Sequence, residues 1–363
     1  AAEYLLGKDD PIEEFKKLAI LEQEGIIAFK PSWSGVLRFL LESNKQAEIL
    51  NWLISFLEQY PDNLDDELGE LITFIIDKPE KQTKIRIFNL IYNSYFKRLT
   101  WIPVWTRNNL NKFIDDVAYK RLKIDIKKWG NKTETFVRRG NVAAIIGGLL
   151  ENNNAFINSR EKDFWKKIFI KFIVNPNDDG NGVLQRHCLY ALESYKDEKI
   201  IKQLEPLKLL ESQDSLVREA FVELCYLVPN SKIAINNLIE GLKKGSDIYA
   251  RHGLYKITSK QSLKYFLSKI ADDEQFLKAF LNHESIFDKE DGDWQIIKRI
   301  KKLKGKETVL ILKKLFFNFF KLEYYRYLDK SNFVKQIGLV INKLDKNFLL
   351  EILKDIKSTK QDE

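Results

Sequence analysis

Apolar residues recur along the chain at the spacing of an α-helix. Ile49, Leu53, Phe56, Leu57 and Tyr60 fall at offsets of 0, 4, 7, 8 and 11 residues, which places them on one face of a helix. This pattern predicts amphipathic helices over much of the chain. Equivalent stripes are Val217, Ala220, Phe221, Leu224 and Val228; Ile235, Leu238, Ile239 and Leu242; Leu263, Phe266, Leu267 and Ile270; Ile337, Val340, Ile341 and Leu344; and Leu349, Ile352, Leu353 and Ile356.

Capping and turn residues agree with these helices. The segment Asp10-Pro11-Ile12-Glu13 offers an N-cap, a proline at the first helical position and an acid at the third. Pro61, Pro79 and Pro229 each follow a predicted helix. No alternation of apolar and polar residues is long enough to indicate a strand, and 16 Gly and 8 Pro in 363 residues are too few for a barrel of many short strands. The sequence therefore predicts an all-α fold.

The helical pattern contains an internal repeat of 32 to 33 residues. The segments 186–192, 218–224 and 251–257 share the form R-x-x-Φ-x-x-Φ, in which Φ is apolar, and a weaker copy begins at Arg139. A repeat of this kind resembles HEAT-like repeats, in which one helix pair cannot bury its apolar face alone and stacks on the next pair. We therefore expect a HEAT-like α-solenoid of stacked helix pairs.

The charged residues of the repeat have two interpretations. Asp214 and Asp247 each precede the arginine of their own repeat by four residues. In one interpretation, Arg186, Arg218 and Arg251 form a ladder that binds phosphate or carboxylate groups. In the other, each Asp caps a helix and each Arg bonds to the neighbouring repeat. The structural interpretation is favoured, because partly buried charges usually occur in pairs.

The charge is distributed unevenly along the chain. Residues 1–100 carry a net charge of −5, residues 101–200 carry +6 and residues 301–363 carry +7, within a total of +8. We expect an acidic N-terminal helical region (1–100), a HEAT-like repeat array (101–290), and a basic, aromatic-rich helical cap (291–363). This distribution permits an acidic partner without requiring one.

Two basic regions that contain aromatic residues are candidate binding surfaces. Such a mixture can contact phosphates and stack on bases, although a solvated helix face over an aromatic core is the favoured interpretation. We therefore expect nucleic-acid binding to be weak and nonspecific at most. The candidate patch residues are Lys127, Lys128, Arg138 and Arg139 in the first region, and Lys298, Arg299, Lys301 and Lys302 in the second.

The sequence contains no recognisable catalytic constellation. Residues 305–308, Gly-Lys-Glu-Thr, resemble the end of a P-loop, but Glu307 stands where a Ser or Thr must reach Mg²⁺. Two Cys and three His do not suffice for a disulfide scaffold or an ordinary zinc site. No segment approaches 18 uncharged apolar residues, and the chain opens without an apolar signal core. We therefore expect a cytoplasmic, non-catalytic protein without a cofactor and without a membrane span.

Two segments near the N-terminus resemble part of a known family. Residues 1–6, Ala-Ala-Glu-Tyr-Leu-Leu, are similar to the end of the segment that closes the winged-helix region in NACHT-type STAND NTPases. Residues 30–40, Lys-Pro-Ser-Trp-Ser-Gly-Val-Leu-Arg-Phe-Leu, are similar to the Trp-x-x-Val-Leu-x-Phe-Leu helix that follows it in that family. The resemblance implies that residues 1–100 are like the segment after a winged helix. It also implies a helical-repeat region C-terminal to an ATPase, which senses a trigger and restrains the ATPase. Its implied partners are a protein trigger and its own or a neighbouring ATPase module.

Three functions remain open from the sequence. The first is a sensor and autoregulatory solenoid of a prokaryotic NACHT-type NTPase in antiviral defence. The second is a HEAT-like nucleic-acid-binding protein, including a base-excision type that would use Trp129 and Asp125. The third is a scaffold for protein assembly. A P-loop encoded upstream in the gene would favour the first over the second.

Overall fold

The computed structural model shows an all-α protein, as the sequence predicts. Helices account for most of the described residues, and the two strands contain four residues each. The chain divides into two compact units, Ala1–Ser194 and Tyr195–Glu363. The three-part division at residues 100 and 290 stays a prediction. The structure describes residues 2–75, 80–130, 132–152, 154, 157–174, 182–245, 247–281, 293–321, 330–348 and 350–352.

The first unit contains eleven of the described α-helices and a two-stranded hairpin. The strands are β1 (Ile20–Gln23) and β2 (Ile26–Phe29). The helices are α1 (Ala2–Leu6), α2 (Pro11–Ala19), α3 (Ser34–Leu41), α4 (Gln46–Gln59), α5 (Asp66–Phe74), α6 (Lys81–Ile91), α7 (Val104–Leu110), α8 (Asp116–Trp129), α9 (Phe136–Glu151), α10 (Ser159–Val174) and α11 (Val183–Glu193).

The second unit contains the remaining nine described α-helices. They are α12 (Glu198–Leu204), α13 (Ser215–Tyr226), α14 (Lys232–Lys243), α15 (Asp247–Tyr255), α16 (Lys260–Asp272), α17 (Glu274–Leu281), α18 (Asp293–Ile300), α19 (Lys306–Lys321) and α20 (Lys330–Leu344). No helix in the described ranges is long and apolar enough to cross a membrane.

The predicted stripes that fall on described residues lie in helices, whereas the stripe from Leu349 to Ile356 lies mostly outside the described residues. The stripe from Ile49 to Leu57 lies in α4, and its members are buried. The predicted N-cap Asp10 accepts a hydrogen bond from the backbone N–H of Glu13 at 3.0 Å, and α2 begins at Pro11. The cap satisfies one of the backbone donors that the first turn of a helix leaves without a partner.

A β-hairpin within residues 20–29 was not predicted. Strands β1 and β2 pair in antiparallel register, with Gln23 opposite Ile26, so that only Glu24 and Gly25 form the turn. Both turn residues have positive φ, 54° and 81°, as a type I′ turn requires. Asn63 joins the hairpin to the unit: its Oδ1 accepts from the backbone N–H of Phe29 at 2.7 Å, and its Nδ2 donates to the carbonyl of Ile27 at 3.0 Å.

Helix α9 is central to the packing of the first unit. It contacts α7, α8, α10 and α11, most extensively α11. Gly147 allows α9 and α11 to approach closely, because a Cβ at this position would lie only 3.1 Å from the Cα of Ala191. The basic residues near the start of α9 and α11 are thereby held in one part of the unit.

In the second unit, helices α13, α14 and α15 contact one another, and α16 packs on α19. The apolar positions of the sequence repeat face the interior: Phe221 and Leu224, like Leu254 and Ile257, are at most 2% exposed. Burial of these positions explains why the repeat pattern is apolar at its fourth and seventh residues.

Candidate anion-binding groove

Five lysines line a groove of about 620 Å³ in the second unit. Lys232 begins α14, Lys260 and Lys264 lie on α16, and Lys302 and Lys304 lie in the segment between α18 and α19. The other side chains at the groove are Gln261, Tyr265, Ser268, Leu303, Glu307 and Ile311.

The local sequence explains how the lysines reach the groove. On α16, Leu263, Phe266 and Leu267 are at most 1% exposed, so the polar face that carries Lys260 and Lys264 points away from the core. Between α18 and α19, only the intervening Leu303 is buried, which leaves the two flanking lysines exposed.

The groove carries an excess of positive charge. Its one carboxylate is Glu307, which accepts from Lys264 at 2.9 Å. Among the residues that the structure describes, no carboxylate pairs with Lys232, Lys260, Lys302 or Lys304. Ammonium groups gathered in a concave surface repel one another and concentrate anions from solution. The geometry therefore favours an anionic ligand.

Tyr265 is the aromatic residue of the groove, and both parts of its side chain are engaged. Its hydroxyl donates to Asn236 Oδ1 at 2.8 Å. The ammonium groups of Lys232 and Lys269 lie 5.3 and 5.5 Å from its ring centroid. Because cations already contact the ring, Tyr265 does not present a free platform on which a base could stack.

The second predicted basic region divides into a groove residue, surface residues and a structural residue. Lys302 lines the groove, whereas Lys298 and Lys301 are exposed outside its lining. Arg299 is half-buried and donates to the carbonyls of Tyr255 and Ile257, the second at 2.8 Å. Its guanidinium therefore joins α18 to the end of α15 and is not an exposed patch residue.

The first predicted basic region divides in a similar way. Lys127 and Lys128 are exposed, and the ammonium of Lys127 lies 5.3 Å from the Phe164 ring centroid. Arg138 is half-buried and donates to the carbonyls of Phe96 and Lys97, the second at 2.9 Å.

Arg139 is not part of any exposed patch. Its side chain is 0% exposed, donates to the carbonyl of Lys132 at 3.0 Å and lies 4.9 Å from the Phe172 ring centroid. Arg139 is therefore a core residue: α9 places it on the face that packs against the rest of the unit.

The repeat residues of α13 form local contacts. Asp214 caps the helix by accepting from the backbone N–H of Leu216 at 2.8 Å. Arg218 donates to the carbonyls of Ser212 and Gln213 at 2.5 and 3.1 Å, in the loop just before its own helix. The repeat pattern predicts a bond from Arg218 to a neighbouring repeat, but its hydrogen bonds stay within its own repeat. The reason is that Arg218 lies in the first turn of α13, next to the loop that precedes this helix.

Among the other ladder residues, only the side chain of Arg186 is described, and it does not repeat this arrangement. The side chains of Asp247 and Arg251 lie outside the described part of the chain. Arg186, on α11, is half-buried beside His187 and makes no ion pair with any described carboxylate. In the described part of the chain, no three His, Cys, Asp or Glu side chains are grouped to hold a metal ion.

Sequence reasoning found Lys302 but missed Lys232, Lys260, Lys264 and Lys304. The spacing of four residues between Lys260 and Lys264 indicates a shared helix face, but nothing in the sequence brings the five lysines together. The comparisons with known proteins add no further guide: no protein-family model, curated protein or solved structure matches this chain.

Proposed function

We propose that the chain is a non-catalytic binding module that recognises an acidic segment of a protein partner through the five-lysine groove. The observation that carries the proposal is the groove itself, in which five lysines face a single carboxylate. Four of these lysines make no ion pair with a described residue, so a ligand carboxylate would gain attraction without breaking an existing bond.

A protein ligand fits the groove better than a nucleic acid does. A volume of about 620 Å³ lies in the range of ligand pockets and accommodates a few side chains. Single-strand binding without sequence preference depends on aromatic stacking in addition to charge, and Tyr265 is engaged by Lys232, Lys269 and Asn236. Nucleic-acid binding is therefore expected to be weak and to disappear near physiological salt.

The wider role we propose is that of a trigger-sensing and autoregulatory region of a NACHT-type STAND NTPase. Support comes from the resemblance of residues 1–6 and 30–40 to that family, and α1 and α3 lie in these two segments. Mutual packing of α13, α14 and α15 supports a HEAT-like stack of helix pairs. A P-loop encoded upstream of this chain tests the assignment, and an upstream sequence without an NTPase domain contradicts it.

Fluorescence anisotropy tests the groove directly. The full chain is titrated onto a labelled Glu-rich peptide and onto the same peptide with Gln in place of Glu. We expect Lys260→Glu/Lys302→Glu to weaken Glu-peptide binding by about tenfold or more, because the variant reverses two of the five groove charges. The matched control is Lys127→Glu/Lys128→Glu, which changes the net charge by the same amount at exposed lysines outside the groove. This control should change the affinity for the Glu-rich peptide by less than about threefold.

Two outcomes contradict the proposal. Equal losses in both double variants would show attraction to overall charge and not to the groove. Submicromolar binding of a duplex or a single strand that survives physiological salt and is lost in Lys127→Glu/Lys128→Glu would favour the nucleic-acid function instead.

A further inference from the structure

Among the described residues that line the lysine groove, Glu307 is the one acidic side chain, and it already occupies one of the five lysines. Its carboxylate accepts from the ammonium of Lys264 at 2.9 Å. A ligand carboxylate that approaches Lys264 therefore meets an ammonium whose charge is neutralised and a carboxylate of its own sign. The internal ion pair and an acidic ligand compete for the same ammonium group.

Lys264 differs from the other groove lysines in its burial. Its side chain is 27% exposed, whereas the other four groove lysines are fully exposed residues of the surface. Charges that are partly removed from water attract each other more strongly and are screened less by salt. Lys264 is therefore the lysine at which a ligand carboxylate would gain the strongest attraction, and it is the lysine that Glu307 occupies.

The backbone that carries Glu307 is held in place by buried side chains on both sides. Leu303 and Thr308 are each 1% exposed, and the hydroxyl of Thr308 donates to the carbonyl of Lys304 at 3.0 Å. Glu307 lies in the first turn of α19, and Ile311, one turn later on the same face, also lines the groove. Packing thus directs this face of α19, with the Glu307 carboxylate, toward the groove.

The side chain of Glu307 can leave Lys264 without a change in the core. It is 71% exposed, and Lys264 is its only ion-pair partner among the residues that the structure describes. Exposed ion pairs contribute little to stability, because water competes for both charges and two long side chains lose freedom when they pair. The pair between Glu307 and Lys264 is therefore easily exchanged for a pair between Lys264 and a ligand.

We propose that Glu307 is an internal competitor of the ligand: its carboxylate occupies Lys264 in the free chain and gives way when an acidic segment enters the groove. The competition rests on the proposed function, in which the groove binds carboxylates. Glu307 then holds the affinity of the groove below the value that five unpaired lysines would give. The half-buried ammonium of Lys264 is reached only by a ligand that displaces a carboxylate.

Fluorescence anisotropy of the full chain with the labelled Glu-rich peptide, at constant ionic strength, tests this role. Glu307→Gln keeps the size of the side chain and removes its charge, so the variant should bind the peptide about fivefold more tightly than the wild-type chain. Glu240→Gln is the matched control, because Glu240 is an exposed acid of α14 outside the groove lining and pairs with Lys243 at 3.2 Å. This control removes the same charge and a similar ion pair, and it should change the affinity by less than about twofold.

A double-mutant cycle with Lys264→Gln shows whether Glu307 acts through Lys264. If it does, the gain from Glu307→Gln should fall to about twofold or less in the Lys264→Gln background, because no ammonium is released there. An equal gain in both backgrounds would mean that Glu307 only repels the ligand, and it would overturn the proposal. The Tm of Glu307→Gln should stay within about 4 °C of the wild-type value. A larger drop would show that the ion pair stabilises the fold and is not readily displaced, which would also overturn the proposal.

The groove variant Lys260→Glu/Lys302→Glu separates the role of Glu307 from the proposed function of the groove. If this double variant weakens peptide binding while Glu307→Gln leaves it unchanged or weakens it, then the groove binds the acidic segment and Glu307 is not a competitor. If neither variant changes the affinity for the peptide, then the groove is not the binding surface, and both the competition and the proposed function are wrong.

Discussion

Three arginines at the same position of the helical repeat have three different environments. Arg139, Arg186 and Arg218 are each the fourth residue of their helix, and the apolar residues three and six positions later are buried. Arg139 is nevertheless a core residue, Arg218 bonds to its own loop, and Arg186 is half-buried without a carboxylate partner among the described residues. The sequence determines the face of the helix that these residues occupy. It does not determine the neighbour, because tertiary packing decides which segment reaches that turn.

His187 makes the stability of the first unit depend on pH. Burial, followed by the charges of Arg107 and Arg186, lowers the pKa of His187 in the folded chain to about 3, below the unfolded value of about 6.5. Between these two pH values, the unfolded chain binds a proton that the folded chain does not bind. The contribution of His187 is therefore fully present above about pH 6.5 and decreases as the pH falls toward 3. Between about pH 7 and pH 5, we expect the unfolding free energy of the wild-type chain to fall by about 2 kcal/mol more than that of His187→Gln.

Urea unfolding in phosphate-free buffer at both pH values measures this difference. His252→Gln is the matched control, because His252 is exposed on α15, and it should retain the wild-type dependence. If His187→Gln and the wild-type chain lose stability in parallel, then burial does not keep the His187 imidazole neutral in the folded chain, and the prediction is wrong.

At the level of secondary structure, long helices were predictable and the short hairpin was not. A helix such as α4 repeats its apolar stripe over three turns, so the pattern stands out from its surroundings. Strands β1 and β2 are too short for a clear alternation, and β1 begins directly after α2. The hairpin is also fixed by Asn63, 34 residues beyond Phe29, and such a contact leaves no local signal.

Gly25 is the residue on which the hairpin turn depends most. Its φ of +81° is easily adopted by glycine and is strained for a residue with a Cβ. Gly25→Ala should destabilise the hairpin by about 1 kcal/mol and speed amide hydrogen exchange over residues 20–29 about fivefold. Gly35→Ala is the control: Gly35 lies in α3 with open space around it, so this change should stabilise its helix slightly and leave the exchange of the hairpin unchanged. Unchanged exchange in Gly25→Ala would contradict the assigned turn.

At the level of the whole molecule, the candidate groove could not be read from the sequence, because it is assembled from distant segments. The groove combines Lys232 with lysines up to 72 positions later in the chain. Charge counts indicated that basic residues are concentrated in parts of the chain. They did not show which of these residues lack an acidic partner, since pairing is decided by the fold.

Each compact unit contains one buried cysteine, which makes the opening of the two units separately measurable. Cys188 lies in the first unit and Cys225 in the second, and both are 0% exposed. Burial also raises the pKa of the Cys225 thiol, which suppresses the reactive thiolate in the folded state. Both thiols should therefore react with an alkylating reagent only when their surroundings open.

Leu149→Ala in α9 and Leu238→Ala in α14 remove side chains that are 0% exposed, and each cavity should cost about 2–5 kcal/mol of unfolding free energy. We expect Leu149→Ala to speed alkylation of Cys188, and Leu238→Ala that of Cys225, by about 30-fold or more, measured by mass spectrometry of the two cysteine peptides. The surface variant Lys128→Gln should change neither rate, and equal acceleration of both thiols by a single cavity would show that the chain opens as one cooperative body.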